Sequence, residues 1–364
     1  MASNSPDFQD SRSNGADSKG SWLQTAWYQG AWWLWLLAPL SLLFGGISSV
    51  RRALFRLGIK PVYRAPVPVI VVGNLSVGGN GKTPVVVWLV HWLRAQGYNP
   101  GVISRGYGGK SAQYPLLVTA ATAARQAGDE PILIVKRTHC PLVVSPKRGE
   151  AAALLASLGA DIIISDDGLQ HYALARDIEL VVVDGKRRFG NGHLLPMGPL
   201  RERKWRLNKV DAIINNGGPA QDNEFLMTLA PGALVAVNAA ENIAENVAKS
   251  AVENTAGRAT ARLAPEPPSR VHALAGIGHP PRFFSMLGQL GFTLEQTVAL
   301  GDHQAVAPSQ LDLLQSAPLL ITEKDAVKWP GGHPNTWYVP VDAQLPLAFE
   351  HLLLTRLKEL HHGD

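Results

Sequence analysis

The 364-residue sequence contains a single cysteine, Cys140, so no disulfide framework can form and a reducing compartment fits. A lone thiol in an apolar stretch reads as packing rather than chemistry. No Cys-x-x-Cys or His-Glu-x-x-His spacing offers a zinc site, and no internal repeat is visible. Long hydrophobic runs are also scarce. The longest, Ala31 to Ile47, contains Pro39, Gly45 and Gly46; it falls short of the roughly 20 apolar residues of a spanning helix. The start of the chain carries Asp7, Asp10 and Asp17 where a secretory signal would carry basic residues, so a cleaved leader is not expected.

The residues that are present favour a cored, multi-domain protein with acidic partners. Hydrophobic residues make up 46% of the chain, and its length suits two or three domains. The formal net charge of +5 favours nucleotides, anionic lipid surfaces or nucleic acid. Residues 1–20 are polar without apolar period and read as a disordered tail. Residues 21–64 carry Trp22, Trp27, Trp32, Trp33 and Trp35, half of the ten tryptophans, followed by Arg51, Arg52, Arg56, Lys60 and Arg64. Tryptophans beside a basic flank suit a membrane-associated helical segment with the cations on the cytoplasmic side; the competing reading is a buried helix pair.

From residue 65 to 238 strand-like runs alternate with helix-like stretches such as 82–97 and 148–159. The runs "VPVIVVG", "PGVISR", "PLVVSP", "ADIIISDD", "IELVVVD" and "DAIINN" are continuously apolar, as in strands buried on both faces of a parallel, doubly wound sheet. Residues 239–268 are Ala-rich and end in prolines, a linker or insertion. Residues 269–364, with "VHALAGIG", "LLITEKD" and "TWYVPV", predict a smaller C-terminal α/β unit.

The sharpest motif is "GNLSVGGNGKTP", which follows the first strand and opens a helix. Glycines let backbone N–H groups close on a phosphate, and the helix start adds its unpaired donors and positive dipole end. Ser76, Val77, Gly78, Gly79, Asn80, Gly81, Lys82 and Thr83 are therefore the expected nucleotide cradle. Lys82 is placed for the terminal phosphates and the Thr83 hydroxyl for Mg²⁺. The strict pattern needs glycine at position 76, where this chain has Ser76.

Other constellations are less self-sufficient. "DIIISDDGLQH" ends an apolar strand in Asp166 and Asp167, resembling the strand-end carboxylate that holds Mg²⁺. Adjacent residues of a strand face opposite ways, so only one of the two can serve the metal directly; a solvated turn is the plainer alternative. "AGDEP" offers Asp129 in a loop, either as a base for an attacking hydroxyl or as a helix cap. A carboxylate engaged with Mg²⁺ is a poor proton acceptor, which favours Asp129 as the base. Arg105 in "SRGYGG" lies at a strand end beside the expected crevice. Arg201, Arg203, Lys204, Arg206 and Lys209 form a basic run around Trp205, suited to phosphate, an anionic membrane or nucleic acid, or to a solvated face. Glu202, alone among these cations, either assists the metal or pairs with its neighbours. His303 in "LGDHQ" reads as packed more readily than catalytic. "ITEKD" comes close to the guanine-specificity pattern Asn/Thr-Lys-x-Asp, but Lys324 directly precedes Asp325, so guanine selectivity is unsupported.

Taken in order, "LAPLSLLFG", "VPVIVVGNLSVGGNGKTP", "ISRGYGG", "AGDEP", "VVSPKR", "SDDGLQHYALARDIELVVVD", "GHLLPMGPLRE", "HALAGIGHPPRFF", "GDH" and "ITEKDAVK" resemble the tetraacyldisaccharide 4'-kinase family of lipid A biosynthesis across most of residues 35–330. The family's loop shares the shifted glycine pattern that puts Ser76 at that position. Met197, where many relatives carry Ala, and a longer 239–268 segment depart from the family.

The resemblance implies a P-loop NTPase-like α/β fold and Mg²⁺-dependent transfer of the ATP γ-phosphate. The acceptor is the 4'-hydroxyl of an anionic glycolipid, tetraacyldisaccharide 1-phosphate. It also implies attachment to the cytoplasmic face of the inner membrane. It points to Asp129 and His303 as catalytic partners beside Lys82, to Thr83, Asp166, Asp167 and Glu202 around the metal, and to Arg105 and Arg201 at the acceptor. Neither a nucleic-acid partner nor an obligate protein partner is expected. The residues alone leave two other readings open: a kinase of a soluble acceptor, and a membrane-anchored nucleotide switch.

Overall fold

The computed structural model describes residues 21–237, 263–301, 304, 314–329 and 335–361. The tail expected to be disordered, most of the 239–268 segment, and His303 lie outside the described residues.

Strands β1 (Val69–Gly73), β2 (Pro100–Ser104), β3 (Leu116–Val118), β4 (Leu142–Val144), β5 (Ile162–Asp166), β6 (Ile178–Asp184), β7 (Ala212–Asn216) and β8 (Glu224–Pro231) belong to a nine-stranded sheet. Its ninth member is β14 (Val341–Gln344), and the order is β14-β8-β7-β6-β1-β5-β2-β4-β3. β3 and β14 run antiparallel to their neighbours and the other pairings are parallel. The period-2 alternation of a strand sorts the apolar runs onto two faces. Ile70, Val72, Ile162 and Ile164 enter one core, and Val69, Val71 and Ile163 the other. Helix α3 (Lys82–Ala95) covers the first face with Val85, Val86, Leu89, Val90 and Leu93, all fully buried. Trp88 of α3 stacks on Trp92 at 5.7 Å and meets Phe349 at 5.6 Å.

A second, five-stranded sheet runs β11 (Thr293–Ala299), β10 (Arg270–Ala275), β12 (Leu319–Thr322), β13 (Thr336–Val339) and β9 (Val235–Ala236), with β9 alone antiparallel. The two units exchange elements across the boundaries that composition suggests. β9 comes from the end of the first stretch and joins the second sheet. β14 and the helix Leu347–His361 return to the first sheet, where Phe349, Leu353 and Leu357 enter its core.

At the N-terminal side, α1 (Ser21–Gln29), a 3₁₀ turn (Trp32–Leu37) and α2 (Ala38–Arg56) form the expected helical segment. Trp32–Arg56 is long and apolar enough to cross a membrane by length and composition. The segment is inverted relative to a helix of a soluble core. Its small and polar residues, Ser41 and Gly45, are buried, while Trp35, Leu36, Leu40, Leu42, Leu43, Ile47 and Val50 are exposed. Ser41 Oγ donates to the Leu194 carbonyl at 3.0 Å and accepts from the Met197 N–H at 2.9 Å. Trp27 Nε1 donates to the Pro196 carbonyl at 2.9 Å. The buried helix pair is therefore not what forms: one side docks on the loop 193–197, and the apolar side is exposed among the described residues.

Ser41→Ala strips the Met197 N–H of its acceptor, while the Leu194 carbonyl keeps the Gly198 N–H, and is expected to lower unfolding stability by about 1–3 kcal/mol. Leu43→Ser on the exposed side is expected to leave it within about 0.5 kcal/mol. Thermal unfolding of the purified protein in detergent measures both.

Candidate active site

β1 lies between β5 and β6 at the centre of the large sheet, where the order of connections reverses. Ligands of open α/β sheets bind at such a point, beyond the carboxyl ends of the strands. The chain leaves β1 into the loop 74–81 and enters α3 at Lys82. Gly81 stands at φ +89°, and a Cβ there would lie 2.2 Å from the Asn216 side chain. That approach lets Asn216 Nδ2 donate to the Asn80 carbonyl at 2.9 Å, tying the loop to the end of β7. Ser76 is buried, and its hydroxyl accepts from Asn80 Nδ2 at 3.0 Å. The side chain that breaks the strict glycine pattern thus closes the loop internally. Arg187 donates to the Gly79 carbonyl at 2.8 Å and pairs with Asp184 at 3.0 Å.

Beside this loop, β5 ends in the expected carboxylate pair. Asp167 turns into the left-handed region, φ +46°, which sends the two side chains different ways. Lys82 Nζ lies 3.5 Å from Asp167 Oδ1, and Arg201 Nη1 reaches both carboxylate oxygens at 3.0 and 3.1 Å. Burial would raise the Asp167 carboxyl, but Lys82 and then Arg201 outweigh it and hold it well below the usual range. Asp166 is fully buried in β5. Its Oδ2 accepts from Ser104 Oγ at 3.2 Å, while its Oδ1 meets no hydrogen-bond donor among the described residues. Burial, and next the nearby Glu130, push the Asp166 carboxyl up. Arg148 of α6 (Arg148–Ser157) is buried and donates to Ser165 Oγ and to the Asp167 carbonyl at 2.8 Å; burial lowers its guanidinium to about 10.

Asp129 is not in a loop. It is the first residue of α5 (Asp129–Thr138), entered through Gly128 at φ +92°, and its side chain is buried. The following "ILIV", strand-like in isolation, is helical because Pro131 fits a first turn and α5 packs on the sheet. Lys328 and Lys324, from the helix Glu323–Lys328 of the second unit, approach Asp129 Oδ2 at 3.4 and 3.7 Å.

The structure therefore gathers the loop 76–83, Lys82, Asp166, Asp167 and Arg201. Arg105 follows β2 at the same end of the sheet and is exposed. Glu202 is placed elsewhere: its Oε2 accepts from Arg52 at 3.3 Å and Tyr172 at 2.7 Å, with Arg206 at 3.7 Å. Those partners belong to the seam beneath α2, so the pairing alternative is the one the geometry favours over metal binding. Arg206 is buried against Glu179 and Glu202 and is not free for an acceptor. Sequence reasoning missed Arg148, Asp184, Arg187, Asn216, Lys324 and Lys328. Asp184 carried the same sign as Asp166, an acid closing an apolar strand, and the two lysines had helical i,i+4 spacing.

The set suits a hard divalent cation supplied mostly with phosphate and water oxygens. Among the described residues no three acidic or imidazole ligands converge, and Mg²⁺ characteristically takes only one or two protein oxygens. The unengaged Asp166 Oδ1 fits that demand.

The family model for tetraacyldisaccharide-1-P 4'-kinase matches residues 33–358. A tetraacyldisaccharide 4'-kinase of Aeromonas hydrophila is 54% identical over 328 residues, 89% of this chain and 92% of that one. The enzyme so named in Tolumonas auensis is 51% identical over 335 residues, 91% and 96% of the two chains. The crystal structure of LpxK from Aquifex aeolicus in complex with ATP is similar with a TM-score of 0.69 at 27% identity, over 89% of this chain and 99% of that one. Site geometry and these matches agree, and the chain belongs to the tetraacyldisaccharide 1-phosphate 4'-kinase family.

Proposed function

We propose that this kinase of lipid A biosynthesis uses Mg²⁺ with ATP, takes its anionic glycolipid acceptor at the cytoplasmic face of the inner membrane, and divides the chemistry among Lys82, Asp129, Asp166 and Arg201. The observation that carries the reading is the meeting of Lys82 and Arg201 on Asp167, beside the unengaged oxygen of Asp166.

In the transfer, the acceptor 4'-oxygen forms a bond to the γ-phosphorus as the bond to the β–γ bridging oxygen breaks. ADP leaves with that electron pair. Charge builds on the transferring group, so positioning and electrostatic stabilisation are the main levers. The loop 76–83 presents N–H groups to the phosphates, and Lys82 supplies a cation from the helix start. Asp167 holds Lys82 and Arg201 apart from each other's charge and presents both to the crevice. Asp129 takes the hydroxyl proton and passes it to solvent. Asp166 and Thr83 would hold Mg²⁺, which neutralises phosphate charge when bound. The exposed apolar side of α2, continuing into the exposed Arg51, supports attachment to an anionic bilayer surface beside the crevice.

Transfer of labelled γ-phosphate to purified disaccharide 1-phosphate lipid is the direct test. ADP release without that lipid would instead indicate a nucleotide switch. Lys82→Ala is expected to lower kcat by about a hundredfold or more at every Mg²⁺ concentration. Asp166→Asn is expected to raise the Mg²⁺ concentration needed for half-maximal rate; a rate loss with unchanged Mg²⁺ dependence would remove Asp166 from the metal. Replacing Leu40, Leu43 and Ile47 together with Ser should move the protein from the membrane to the soluble fraction without loss of the fold, as read by fractionation and circular dichroism.

A further inference from the structure

The segment "ITEKDAVK" has no part in the chemistry described above, yet it sends two side chains to it. Lys324 and Lys328 stand one turn apart on the same side of the helix Glu323–Lys328. Both ammonium groups converge on Asp129 Oδ2, and Lys324 also reaches Glu130 Oε1 at 3.0 Å. All three partners are well covered: Asp129 is 4% exposed, Lys324 14% and Lys328 18%. Lys328 is fixed within its own unit before it meets Asp129. It lies 3.3 Å from Asp325 Oδ1 and donates to the Gly276 carbonyl at 3.4 Å. Asp325 Oδ2 in turn accepts from the Gly276 N–H at 2.8 Å and the Thr322 hydroxyl at 2.6 Å.

A link between the two units needs no such burial. Arg137, two turns along α5, already pairs with Glu323 at 2.8 Å. Directing two cations at one buried carboxylate oxygen does something else. A carboxylate shut away from water is driven toward its neutral form, which cannot accept a proton, and adjacent cations oppose that. Among the described residues, the charged groups around this corner include Glu130 of α5, Asp325 of the lysine helix, and Asp166 at the end of β5 with Asp167, Lys82 and Arg148 around it. Acids outnumber cations in this set, so without the lysines the local field would favour the neutral form further.

We propose that Lys328, with Lys324, is a positioning residue for phosphoryl transfer, holding Asp129 as an oriented anion so that the second unit completes the active site of the first. This rests on the reading of Asp129 as the base.

The test is the pH dependence of kcat and KM for the full-length enzyme in detergent, with labelled ATP and the disaccharide 1-phosphate lipid. Lys328→Met should lower kcat at neutral pH by about tenfold or more and move the acidic limb of the profile up by about one pH unit or more. The sign follows from removing a cation that favours the anion. KM for ATP should stay within about twofold, and Lys328→Arg should restore the limb, since the charge is kept. Lys324→Met should act in the same direction. A lowered melting temperature with an unmoved limb in Lys328→Met would make the lysine a plain interface strut and overturn the proposal. Asp129→Asn separates the two readings. If it is inactive while Lys328→Met behaves as wild type, only the positioning role falls; if it turns over normally, the base assignment falls and this proposal with it.

Discussion

Asp167 is the junction on which three separate stretches of chain close, two at its carboxylate and one at its backbone carbonyl. Lys82 arrives from the helix after β1, Arg201 from the irregular loop after β6, and Arg148 holds the Asp167 carbonyl from α6. Cations so close would repel at a crevice of lower dielectric than water, where charge interactions are stronger. One anion between them makes the arrangement stable before any phosphate arrives. The left-handed backbone at Asp167 matters to the same end, because it aims this carboxylate at the cations and leaves Asp166 facing another way. Two adjacent acids thereby serve different tasks with opposite electrostatic settings, one held ionised by its partners and one pushed toward neutrality by burial.

Much of this was legible in the sequence where local rules act alone. The apolar runs at 69–73, 100–104, 142–144, 162–166, 178–184 and 212–216 are strands because continuous burial on both faces leaves no other use for them. The glycine spacing before Lys82 read as a phosphate loop because backbone freedom and a helix start are sequence-local features. What escaped was decided by distant partners. β3, β9, β11 and β14 are edge strands, and β8 lies next to the edge; the half-exposed residues of all five carry weak alternation. "ILIV" after Asp129 has strand-like composition, but packing on the sheet made it a helix. Glu202 looked like a site acid because its sequence neighbours are cations; only the fold shows that Arg52, 150 positions away, shares it.

The inverted N-terminal helix extends the same logic to the surface. Ser41 faces the protein because its hydroxyl bridges the Leu194 carbonyl and the Met197 N–H, and Gly45 because the Leu194 side chain packs where a Cβ would stand. The apolar side is left outward, a liability in water that would suit a bilayer surface. The loop it grips leads directly into Arg201, so the outward apolar face and the arginine that meets Asp167 are parts of one continuous support.

The return of β14 and the helix Leu347–His361 to the large sheet has a consequence for synthesis. Phe349 is fully buried against Trp88 and Phe225, from parts of the chain made much earlier. A polypeptide emerging from the ribosome N-terminus first presents the phosphate loop and α3 while that side of the core is still open to water. The outward apolar face of α2 is made at the outset, and the cover that Phe349 gives α3 comes only with residues beyond 340. Throughout translation the first sheet therefore remains unfinished, and a ribosome that stalls in the second unit leaves a chain with an open tryptophan face, a substrate for chaperones or proteolysis.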